Sequence, residues 1–232
     1  MNCSIIQPHY FPWIGYFNLI NSADYFVFLD DVKFHHQSWQ HRNKILLNNN
    51  KSCLLTVPIK KTTGKFINDI IVDDGKNWRK KHFQTISQNY SKHPFFEDVA
   101  TISGNILNNK LVRLADLNTA IILDLIKRLS IKTNFIFSSD LKMKGEKTDR
   151  IIEILRHLRC TKYFSNIGSK DYLFKDEFEK KSNRELVFNK ASFEDYKQLN
   201  SKNFFPNLSI IDTLGNLGFK GLKKYLNNCK LN

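Results

Sequence analysis

The stretch that most constrains this chain is its beginning, CSIIQPHYFPWIGYFNLINSADYFVFLDD, residues 3–31. Two apolar runs, Cys3–Ile6 and Tyr25–Leu29, have the length and bulk of buried strands. Between them, Trp13 to Ser22 reads as a helix with Ile14, Phe17, Leu19 and Ile20 turned inward. A strand, a helix and a strand within about thirty residues is what a parallel βαβ unit requires. Ligands of parallel sheets sit beyond the carboxyl ends of the strands. Gln7 to Tyr10 stand at one such end and Asp30–Asp31 at the other, so together they read as one wall of a pocket. Pro8 and Pro12 fix the backbone of the turn, and Gly15 permits close approach at a helix start, where free N–H groups attract anions.

The rest of the chain extends this pattern. KFHHQSWQHRNKIL reads as a loop entering a short helix or strand, and CLLTVPI (53–59) and INDIIVDD (67–74) read as strands. Trp78, His82, Ile86 and Tyr90 recur every four residues in NWRKKHFQTISQNY, a helical stripe, and a long helix is expected over Leu111–Leu129. KTDRIIEILRHL (147–158) is a helix with Thr148 as its expected N-cap. The strand TKYFS (161–165) and the turn NIGSKDYL follow it, a second helix–strand–loop unit that continues the sheet. RELVFN (184–189) is a later strand, and FFPNLSIIDTLGNLGFKGLKKYL is a loop running into a helix. With no repeat or linker, the expectation is one α/β domain over residues 1–232, with a mainly parallel, Rossmann-like central sheet flanked by helices.

Charge and cysteine usage narrow the function classes. The net charge is +14, but it comes mostly from scattered lysines, paired at 60–61, 80–81, 180–181 and 223–224, without a compact arginine tract. That favours a phosphate-bearing small ligand over nucleic acid. Cys3, Cys53, Cys160 and Cys229 form no C-x-x-C, which points to buried free thiols and gives no metal site. No run of eighteen apolar residues occurs, so no membrane span is expected, and without a basic-then-apolar leader the expected location is cytoplasmic.

Several side chains could carry chemistry. Gln7 and Tyr10 place polar groups at a strand end. Asp30 and Asp31 can orient sugar hydroxyls, hold a metal or act as base; the plain alternative is that they cap the next turn. In SWQHRNKI, Arg42 can fork onto phosphate or carboxylate, while Trp39 and Asn43 suit a sugar's ring face and hydroxyls. His82 stands on an inward-facing stripe and is the best-placed base among seven histidines, although a satisfied helix histidine fits as well. Ser165, Gly168, Ser169 and Tyr172 follow a strand, where amides and hydroxyls can meet an anion. Asp212 and Asn216 lie one turn apart on an apolar helix. P-loop, dinucleotide and G-x-S-x-G motifs are all missing, so no cofactor is indicated.

These segments together resemble the WbqC-like family: QPHYFPWIGYF, DYFVFLDDVKF, SWQHRNKI, LTVPI, the W…KH…Y helix, KTDRIIEILRHL, YFSNIGSKDYL and FFPNLSIIDTLGNLG. The resemblance covers nearly the whole chain. It implies a role in making bacterial O-antigen or other surface glycans. From it we expect an enzyme that transfers an acyl or aminoacyl group to the amine of a nucleotide-linked amino sugar. The donor would be a small molecule or an acidic carrier protein. His82 would then take the proton, Arg42 and the 165–169 turn hold phosphate, and Asp30 and Asp31 orient the sugar. The first βαβ unit also resembles nucleotidyltransferase-type Rossmann folds, but YFPWIGYF keeps only the glycine of an H-x-G-H-like turn, against nucleotide α-phosphate chemistry. Two readings of other classes compete: a non-catalytic glycan- or acyl-carrier-protein-binding module, and an RNA-binding protein.

Overall fold

Five parallel strands form the centre of the chain: β1 (Asn2–Ile6), β2 (Tyr25–Phe28), β5 (Asn134–Phe137), β6 (Lys162–Ser165) and β7 (Glu185–Phe188), in the order β5-β2-β1-β6-β7. The computed structural model describes residues 1–60, 66–108, 110–190 and 193–229. β1 and β2 pair in parallel with Cys3 opposite Tyr25 and Ile6 opposite Phe28, joined through α1 (Ile14–Ser22), as the opening sequence requires. Every neighbouring pair in this sheet is parallel.

Strand order decides where a ligand can sit. The chain runs outward from β1 to β2 to β5, then returns to β6 on the other side of β1 and continues to β7. The crossovers therefore cover opposite faces. On one face Ile6, Phe26 and Phe28 pack with α1, α4 (Leu114–Leu129) and α9 (Ile210–Asn228). On the other, Cys3, Ile5, Val27 and Tyr163 pack with α6 (Lys147–His157), α7 (Lys170–Lys175) and α8 (Phe178–Ser182). The direction reverses between β1 and β6, and in parallel sheets the crevice at such a reversal is where ligands sit.

A second layer covers the first face. β3 (Arg42–Leu46) and β4 (Ser52–Thr56) form an antiparallel hairpin outside the central sheet, with Arg42 opposite Thr56. Next come α2 (Trp78–Tyr90) and α3 (Phe96–Asn108). The apolar run 67–74 is not a strand: Ile67–Asp69 is a 3-10 turn, and Ile71 and Val72 make only isolated bridges to Arg113 and Ile59. Its side chains fill the gap beneath α4 instead of joining a ladder, as the burial of Ile67, Ile70 and Val72 shows. β5 and α3 had no clear signal in the sequence. Thr148 is not the cap of α6; Glu146 stands there, and Thr148 Oγ1 instead donates to Asp176 at 2.5 Å. α9 bends at Gly218, whose φ is 65° and where a Cβ would come within 2.5 Å of the Phe95 ring. Only glycine fits that bend.

Candidate functional site

The carboxyl ends of the parallel strands bring together Gln7–His9 after β1, Asp30–Asp31 after β2, Ser138–Ser139 after β5, Asn166–Ser169 after β6 and Asn189 after β7. The segment between β1 and α1 is held from all sides. Asn118 Nδ2, fully buried on α4, donates to the carbonyls of Pro8 at 3.0 Å and Gln40 at 2.6 Å. Asn43 Nδ2 donates to the carbonyls of Tyr10 at 3.1 Å and Phe11 at 2.6 Å. Phe11 has φ 42°, a left-handed conformation costly for a bulky residue, and these two bonds stabilise it. Pro12 accepts from Ile210 N, Tyr10 N donates to Trp39 O, and Gln40 Nε2 donates to Gln7 Oε1 at 2.8 Å. Six hydrogen bonds thus lock one loop, leaving Gln7 and His9 partly open at the crevice.

Several sequence candidates belong to this locking rather than to the crevice. Asn43 is 5% exposed and spends its amide on backbone, with Oδ1 accepting from Lys44 N. Tyr10 is fully buried, its O–H donating to His82 Nδ1 at 2.9 Å. The other face of His82 meets the Thr56 carbonyl, and Trp78 packs edge-on against the ring at 5.1 Å. A neutral ring protonated on Nε2 satisfies both partners. Burial lowers the His82 pKa to about 4, which favours that form. The histidine read as a base is therefore walled in and engaged on both nitrogens. Gly15 does not admit an anion either, because the Trp13 indole lies over it, within 2.2 Å of where a Cβ would be. The helix-start anion site of many βαβ units is plugged here. Arg42 lies on the hairpin with Nη2 on the Gln37 carbonyl at 2.7 Å, and Trp39 is an exposed platform with Lys44 Nζ 5.9 Å from its ring centre. Asp212 and Asn216 sit in a separate buried cluster: Asp212 accepts from Tyr90, Tyr196 and Gln198, and Asn216 accepts from Leu199 N at 3.0 Å. Desolvation raises the Asp212 pKa.

Asp30 and Asp31 are at the edge but already bonded. Asp30 accepts from Ser139 N at 3.0 Å and Ser139 Oγ at 2.7 Å. Asp31 pairs with Arg150 of α6 and accepts from Ser138 Oγ. The two carboxylates thus tie β2, β5 and α6 together, and buried Arg150 Nε has no hydrogen-bond partner among the described residues. Ser138, Ser139 and Arg150 lie more than a hundred residues from Asp30 and Asp31, so no local pattern points to them. On β6, Ser165 and Ser169 share a 2.5 Å hydroxyl bond, Ser169 donates to Asn166 O, and Tyr172 hydrogen-bonds Ser169. Asn166, Ile167 and Gly168 face solvent at the crevice. Gly168 is not needed for space, since a Cβ there would lie an ordinary 3.4 Å from Asn166 Oδ1.

His9 is the residue that the sequence did not single out. It follows β1 at the switch point, is partly exposed, and packs against Tyr16 in a tilted arrangement with ring centres 5.3 Å apart. Desolvation lowers its pKa to about 4, so at neutral pH it is a free imidazole. Exposed lysines rim the same edge: Lys33, Lys144, Lys147, Lys170 and Lys190. Among the described residues none of them is in an ion pair.

The WbqC-like protein family matches residues 7–224, from the β1 loop to the last turns of α9. The chain belongs to the WbqC-like protein family. An uncharacterized protein of Mycobacterium tuberculosis, Rv1507c, is 31% identical over 231 residues, 98% of each chain. No solved structure matches significantly. Among the described residues no helix is long and apolar enough to cross a membrane.

The buried histidines carry a pH prediction. His82 and His93 are 7% and 4% exposed, and burial lowers both pKa values to about 4. The unfolded chain binds these protons near pH 6.5 and the folded chain only near 4, so stability falls as pH drops through that window. The two together remove about 4 kcal/mol between neutral pH and pH 5. Among the described residues neither ring nitrogen of His93 makes a hydrogen bond of good geometry. With His9 also lowered to about 4, His93→Phe should be no less stable at pH 7 and lose about a third of the pH 5 destabilisation in urea titrations. A variant whose loss between pH 7 and 5 matches the parent would contradict this.

Proposed function

We propose that this protein is a transferase of bacterial surface-glycan precursor synthesis, moving an acyl or aminoacyl group onto the amine of a nucleotide-linked amino sugar. The observation that carries the reading is the polar, partly open segment Gln7–His9 at the point where the strand order reverses, rimmed by exposed lysines that make no ion pair among the described residues. Sheets of this kind bind ligands at that point, and a diphosphate suits the lysines. Family membership supports the glycan setting.

In this reading the lysines of the 144–147 and 170 segments and the exposed Asn166–Gly168 turn hold the diphosphate. Gln7, kept in place by Gln40, and Trp39 contact the sugar. The amine nitrogen attacks the donor's acyl carbon, and a C–N bond forms as the bond from that carbon to the donor sulfur or oxygen breaks. His9, unprotonated at neutral pH, takes the proton that the nitrogen loses and passes it to the leaving group. Asp30, Asp31 and Arg150 keep the strand ends in register, and His82 holds Tyr10.

The test is mass spectrometry of nucleotide-linked amino sugars incubated with the protein and either thioester or aminoacyl donors. A product heavier by one acyl or aminoacyl group, absent when the sugar is already N-acetylated, is expected. Saturable sugar binding with no product from any donor class would instead support the binding-module reading.

A further inference from the structure

The opposite, amino edge of the sheet carries a second polar concavity. A surface cavity of 310 Å³ is lined by Arg156, Arg159, Cys160, Thr161, Ser182, Asn183 and Arg184. Three guanidiniums from two separate parts of the chain, the end of α6 and the turn between α8 and β7, meet there.

Basic residues at a helix C-terminus are common, because they complement the helix dipole. That accounts for Arg156, which also pairs with Glu153. It does not account for the other two. Arg159 lies beyond the helix in a left-handed turn with φ 54°, is exposed, and makes no ion pair among the described residues. Arg184 comes from another element and is fixed before any ligand arrives: Nε donates to the Cys160 carbonyl at 2.8 Å and Nη1 to the Ser182 carbonyl at 2.5 Å. Its remaining N–H groups are held rigid beside the cavity, the arrangement in which a guanidinium loses least entropy on meeting an anion. Ser182 and Asn183 add a hydroxyl and an amide to the same wall, while the Thr161 hydroxyl there is bonded to Met1. The Cys160 thiol at the wall has its pKa lowered, first by a hydrogen bond from Cys3 and secondarily by positive charge that includes Arg184.

We propose that this cavity is a binding site for a phosphate-bearing small molecule, separate from the carboxyl-edge site. The size of the cavity suits a phosphate or diphosphate group, and planar guanidinium forks match its oxygens. Its place at the far edge makes it a site for an effector rather than for the reacting atoms, and it does not depend on the transferase reading.

Calorimetric titration of inorganic phosphate and pyrophosphate tests it, at about 0.15 M salt, where weak surface attraction is screened. Both altered side chains of Arg156→Gln/Arg159→Gln are exposed, so the variant should fold as the parent does, checked by thermal melting. Its pyrophosphate affinity should fall at least tenfold. Lys144→Gln/Lys147→Gln, at the carboxyl edge, should leave this binding component in place. Arg184→Lys, which keeps the charge but loses the fork, should fall between the two. The proposal is overturned if the arginine variant binds as the parent does, if only the lysine variant loses binding, or if the parent shows no saturable binding at that salt.

Discussion

Asn118→Ala should destabilise the protein by about 3–5 kcal/mol, one of the largest losses available to a single polar side chain here. Asn118 is fully buried and its one amide nitrogen joins Pro8 O and Gln40 O, residues 110 and 78 positions away. Truncation leaves two buried carbonyls without partners, each costing about 1–3 kcal/mol, and opens a small void. The effect should extend beyond stability, because the same nitrogen keeps the 7–13 loop against the segment that carries Gln40. Hydrogen exchange of the folded variant should quicken at Tyr10 N, which donates to Trp39 O. Chemical denaturation gives the magnitude. A loss under about 1 kcal/mol would mean that the loop is held by its other contacts alone.

His9→Ala should lower turnover by about a hundredfold, the low end of general-base assistance, because a ring with its pKa lowered to about 4 is a weak acceptor at neutral pH. His9 is partly exposed and makes no hydrogen bond among the described residues, so its removal should cost little stability. His82→Ala should do the reverse. It leaves the hydroxyl of fully buried Tyr10 without its partner, costing about 1–3 kcal/mol. The surviving folded fraction should keep its turnover per molecule. Comparing the two variants at a temperature where both are folded separates a proton acceptor from a wall residue. If His82→Ala loses turnover while His9→Ala keeps it, the assignment of roles is inverted.

The contrast between these histidines shows what was legible in the sequence. The inward stripe Trp78–His82–Ile86–Tyr90 is local, with period four, and its four residues are buried as that period requires. What surrounds His82 is not local, since Tyr10 lies 72 residues away, so its engagement on both sides had no signature. The first βαβ unit was legible because strand, helix and strand follow within one short span. β5 was not, being four residues long and only half-buried, so neither alternation nor a continuous apolar core marks it. The strand-end carboxylates Asp30 and Asp31 could be placed at an edge. Their partners Ser138, Ser139 and Arg150 come from elements that only the crossover past β5 brings near. The run 67–74 misled because its apolar residues are buried by α4 rather than by strand neighbours.

The central claim is that the ligand sits where the strand order reverses, between β1 and β6. The most direct measurement is hydrogen–deuterium exchange mass spectrometry of the full chain with and without a saturating nucleotide-linked amino sugar. Protection should concentrate in the peptides covering Gln7–Trp13 and Asn166–Tyr172, with a smaller effect over Lys144–Arg150. Protection confined to the hairpin, to the cavity between α3 and α4 lined by Ile102, Asn105 and Asp124, or to the Arg159–Arg184 wall would contradict it.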